Sequence, residues 1–143
     1  MGYFLVFHSP IDKYKFNDTF DYRTRYEVYH DMKKNNPNVV LNLEPYHFYK
    51  ADPFPLSSIS RRVNILCNEN ETGQWTTYIS DRYGFNNPDN EWDKKEIEYF
   101  IVGDSFAQGY CVEEKDNIAG NLRSISGLGA VSYTHLTLPT NRE

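Results

Sequence analysis

The stretch EYFIVGDSFAQGYCV, residues 98–112, constrains this chain more than any other part of it. A nearly continuous apolar run, of the kind found where both faces of a sheet are covered, leads into Gly103, Asp104 and Ser105. Further on, Asp116 can cap a helix in which Ile118, Leu122 and Ile125 form an apolar stripe. Strand, Gly-containing loop and helix together make the opening unit of an α/β sheet. In such sheets ligands and catalytic groups gather at the carboxyl ends of strands, where loops diverge and helix N-termini present free N–H groups. Ser105 stands at that place. A serine nucleophile needs exposure, a backbone N–H for the developing oxyanion, and a small neighbour such as Gly103 that permits a sharp turn. A bare Gly-Asp-Ser also suits an ordinary turn, so the longer pattern has to decide.

The remaining sequence reads as three parts. Residues 1–60 form a leader and connector, residues 61–127 the start of the main domain, and residues 128–143 a tail of different origin. In the leader, residues 21–36 place Tyr22, Tyr26, Tyr29 and Met32 at helical spacing and end before Pro37 with Lys33 and Lys34 in the last turn, which predicts a helix with one aromatic face. His30 and Asp31 point about 100° apart on such a helix and read as surface residues. Residues 39–43 read as a strand stopped by Pro45, and His47 reads as packed among aromatics. RVNILC and QWTTYI, separated by NENETG, predict a hairpin. The Gly, Asn, Pro and Asp residues within 80–92 predict a surface loop pinned by Tyr83, Phe85 and Trp92.

With 143 residues, 39% hydrophobic and 16% aromatic, the chain has the material for one core. Its net charge of -5 is spread along the sequence, so no basic stripe offers itself to nucleic acid. The short apolar run at residues 3–7 has no basic residue before it and is neither a signal peptide nor a spanning helix, although it could end a longer anchor lying upstream. Cys67 and Cys111 lack metal spacing and read as buried thiols; no metal or cofactor is expected.

IVGDSFAQGYCV resembles the first motif block of the SGNH, or GDSL-type, serine hydrolases, in which Gly-Asp-Ser-Phe follows the first core strand. Upstream, CNENETGQWTTYISDRYGFNNPDNEW and FDYRTRYEVYHDM are similar to the leader of bacterial members, so the resemblance covers about residues 16–127. It implies a truncated three-layer α/β/α, flavodoxin-like fold behind an α+β leader, in a bacterial envelope or cytoplasm. It also implies cleavage of an acyl or acetyl ester on a carbohydrate or lipid through an acyl-serine. By motif position Ser105 is the nucleophile and an oxyanion donor through its N–H, with Gly103 and Asp104 supporting the turn. The family further requires a Gly, an Asn and an Asp-x-x-His block from later in the chain. No Asp here has a His three positions after it, and the only histidine beyond Ser105 is His135. Two other readings stay open. GDSFA nearly meets the Gly-x-Ser-x-Gly elbow of α/β-hydrolases, with Ala107 in the last place. A non-catalytic module of a surface-polysaccharide system would bind sugar through Tyr83, Asn86 and Asn87.

VSYTHLTLPT, residues 131–140, shares nothing with the second block of that family. Back-translated in frame, it resembles the transposon-end adapter used to prepare sequencing libraries. On this reading the gene was cut, His135 belongs to the adapter, and residues from about Val131 onward should pack poorly.

Overall fold

Thr24 starts the first helix. Its hydroxyl accepts from the Glu27 N–H while the Glu27 carboxylate takes the Thr24 N–H at 2.7 Å, a reciprocal cap that sets the start of α1, Arg25–Asn35. The helix therefore begins three residues later than the aromatic spacing from Tyr22 predicts. In the computed structural model, which describes residues 20–43, 57–69 and 73–134, α1 buries Val28, with Tyr29 and Met32 packed alongside. Tyr22 and Tyr26 stay 70% and 63% exposed, so the expected aromatic face is only half used. Lys33 closes the other end by donating to the carbonyls of Pro37 and Val39.

Two short sheets follow. The first contains β1 (Val39–Leu41), β2 (Val63–Asn68) and β3 (Trp75–Ile79), in that order, with β1 parallel to β2 and β2 antiparallel to β3. The expected hairpin is present, with an irregularity between Ile65 and Asn68. Val28, Val39 and Ile65 form the core between α1 and this sheet, and each such side chain contributes about 1.5–3 kcal/mol by leaving water. The second sheet pairs β4 (Tyr99–Gly103) with β5 (Ala130–Thr134) in parallel. Between them lie α2 (Ser105–Gln108), a 3-10 turn (Glu114–Asp116) and α3 (Ile118–Ser126). This is a small mixed α/β arrangement.

Three expectations need correction here. Asn117, not Asp116, caps α3, because its side-chain oxygen accepts from the Gly120 N–H at 2.7 Å. The helix buries Ala119 and Gly120, where small residues let the backbone approach, while of the predicted stripe Leu122 is half-buried and Ile118 and Ile125 point outward, Ile125 83% exposed. Third, β4 is not covered on both faces among the described residues, since Phe100 and Val102 are 54% and 48% exposed.

Residues 131–133 do not pack poorly. Val131 and Ser132 are fully buried and the strand pairs along β4 in register. Main-chain pairing uses groups that every residue supplies, and Val131, Tyr133 and Thr134 are strand-favouring residue types whatever their origin. The apolar run at residues 3–7, His47, and the tail from His135 onward lie outside the described residues.

Candidate active site

Ser105 is the first residue of α2, two positions beyond the end of β4, and is exposed. The turn is made by Asp104, whose carboxylate accepts the Phe106 N–H at 3.0 Å. Asp104 thus acts as a cap, as its place in the turn suggests. Gly103 is needed for space: a β-carbon there would lie 2.9 Å from that of Ala107. Among the described residues nothing pairs with the Ser105 hydroxyl.

Every carbonyl of this four-residue helix has a partner. Ser105 and Phe106 accept from the N–H groups of Tyr110 and Gly109, at 2.9 and 3.1 Å. Ala107 accepts from the Ser132 hydroxyl at 2.6 Å, and Gln108 from the Asn86 side-chain amide at 3.0 Å. Short helices leave these groups orphaned, so side chains from a distant loop and from β5 finish the turn that carries Ser105.

That loop is the segment expected to lie on the surface. Instead Ser80, Asp81, Phe85, Asn86 and Asn87 are buried. The Asp81 carboxylate, wholly enclosed, accepts from the Tyr83 and Phe85 N–H groups on one oxygen and from Asn87 and the Trp92 indole on the other, all between 2.8 and 2.9 Å. Four donors replace the water a carboxylate loses on burial. Asn87 then reaches β5, donating to the Ser132 carbonyl at 2.9 Å and accepting its N–H at 2.7 Å. Asn86 and Asn87 are therefore turned toward the molecule's own backbone, away from any solvent-borne sugar. Tyr83 remains exposed, edge-on to Trp92. Residue type had signalled turns; what covers them could not be read from it.

The cysteines are not thiols. Cys67 in β2 and Cys111 just past α2 form a disulfide, with Cα atoms 5.4 Å apart. They stand 44 positions apart in the chain, and only the packing of the two sheets brings them together. A second tie runs from Arg25 of α1 to the Tyr110 hydroxyl, at 2.6 Å. Beneath the turn, Tyr78 donates to Asn42 at 2.9 Å, and burial pushes its phenol well above the ordinary value.

Among the described residues no histidine is paired with Ser105. The one histidine among the described residues is His30, on the exposed side of α1 against Tyr26 and Tyr29. Among those residues no cluster of His, Cys, Asp or Glu could hold a metal, and no helix is long and apolar enough to cross a membrane. Comparison with family models, with curated proteins and with solved structures finds no match to this chain.

Proposed function

We propose that this chain carries the nucleophile-bearing part of a serine hydrolase of the SGNH type, acting on an acyl or acetyl ester of a carbohydrate or lipid. The observation that supports this reading is the placement of Ser105: exposed, just past the end of a parallel strand, on a turn whose four carbonyls all have partners. In the parent protein, Ser105 attacks the ester carbonyl, its N–H helps hold the oxyanion, and a histidine from later in the parent chain takes the proton. The acyl-serine so formed is then hydrolysed by water.

Among the described residues nothing pairs with the Ser105 hydroxyl, and losing even one oxyanion donor costs about 10² to 10³ in rate. The chain as it stands should therefore hydrolyse an aryl acetate no faster than buffer. The recovered full-length protein should be active, and Ser105→Ala should lower its kcat by about 10³-fold or more. Turnover by the present chain that Ser105→Ala abolishes would place a base within these residues. A full-length enzyme indifferent to the substitution would remove Ser105 from the chemistry.

A further inference from the structure

The chain leaves α2 through a turn with two left-handed residues. Gly109 has φ 72° and Cys111 has φ 66°. Glycine adopts that region freely and here must, because a β-carbon would lie 2.3 Å from that of Asn117. A residue with a side chain resists it, and persists there only where its surroundings hold it. At Cys111 two ties act on that conformation: the Val112 N–H donates to the Gly109 carbonyl at 3.2 Å across the turn, and the bond to Cys67 fixes the side chain to β2. Tyr110 sits between the two and donates its N–H to the Ser105 carbonyl, so the turn bears directly on Ser105. Both cysteines are only partly buried, within reach of a small reductant.

We infer that the Cys67–Cys111 disulfide is a redox-operated lock on the turn that carries Ser105, opened by a dithiol reductant. One thiolate of the dithiol attacks a sulfur of the pair and forms a mixed disulfide, and its second thiolate closes on the first. Two electrons and two protons pass to Cys67 and Cys111, which become thiols, and the dithiol becomes a cyclic disulfide. Cys111 then returns to negative φ, and the bond between the Tyr110 N–H and the Ser105 carbonyl is lost. What the lock regulates rests on the hydrolase reading of Ser105; that it holds the turn does not.

The test uses the full chain exported to an oxidising compartment. Alkylation in denaturant without reductant should label no thiol, whereas two labelled thiols would overturn the proposal. Hydrogen exchange is then followed with and without dithiothreitol. The amides of Gly109, Tyr110 and Val112 should exchange about tenfold faster or more on reduction, measured relative to the β2 and β3 ladder, and slow again on reoxidation. Equal acceleration everywhere, or none, would make the disulfide a general staple and overturn the lock. The double variant Cys67→Ser, Cys111→Ser should show the fast turn without reductant and no response to it. In the full-length protein, dithiothreitol should lower ester hydrolysis reversibly, and an unchanged rate would overturn the regulatory part. If exchange responds but neither form hydrolyses esters, the lock stands and the hydrolase reading falls.

Discussion

β2 and β4 are both short, β-branched strands, yet they live in different surroundings. In β2, Ile65 and Leu66 are completely buried, and α1 lies over the sheet. In β4, the side chains at Phe100 and Val102 remain about half exposed. The first sheet thus has a core of its own, while the second depends on α2, α3 and the loop of residues 80–93 for what cover it has. Stability and the candidate chemistry are therefore carried by different parts of the molecule. The first region anchors, and the second displays Ser105.

The polar joint between them gives the largest expected effect on stability. Asp81→Ala would leave two backbone N–H groups, the Asn87 amide and the Trp92 indole without their acceptor in a buried place. The expected loss is about 4 kcal/mol, read from denaturant unfolding. A loss below about 1 kcal/mol would mean that the two regions do not rely on this joint. Next, Ile65→Ala should cost about 2–5 kcal/mol, whereas Val102→Ala, on the half-exposed strand, should stay within about 0.5–1 kcal/mol. Equal costs would erase the contrast between the sheets.

The smallest effect concerns acid. The Arg82 guanidinium donates to Asp89 and holds its carboxyl below the ordinary value of 3.8. A carboxyl lowered in the folded state adds stability that is complete above its unfolded value and fades as pH falls through the folded one. Asp89→Asn should therefore flatten the acid limb of unfolding below about pH 4, followed by Trp92 fluorescence, with little change at neutral pH. Since the Asp89 side chain is about 40% exposed, salt should weaken the effect. A limb unaltered by Asp89→Asn would assign the acid response to other groups.

How far the sequence could be read follows from what each signal depends on. The strand and turn around Ser105, the hairpin and the approximate span of α1 rest on local pattern and were legible in it. The start of α1 was misjudged because aromatic spacing runs past Thr24, whereas the cap is decided by which residue meets Glu27. The pairing of Cys67 with Cys111 and the burial of Asn86 and Asn87 arise between segments far apart in sequence. Asparagine and glycine announce a bend without saying what will cover it. Three-layer architecture and the groups that would complete a triad remain matters for the longer protein proposed above.

The side chains along the outer edge of β5 carry a consequence for assembly. The Ala130 N–H and carbonyl are taken by Glu91 and Arg123, and those of Ser132 by Asn87. Among the described residues no strand occupies the other edge, that of β4. Of the two edges of this sheet, the one along β5 is thus closed by side chains at Ala130 and Ser132, and a strand added to it from another molecule would have to pair along β4.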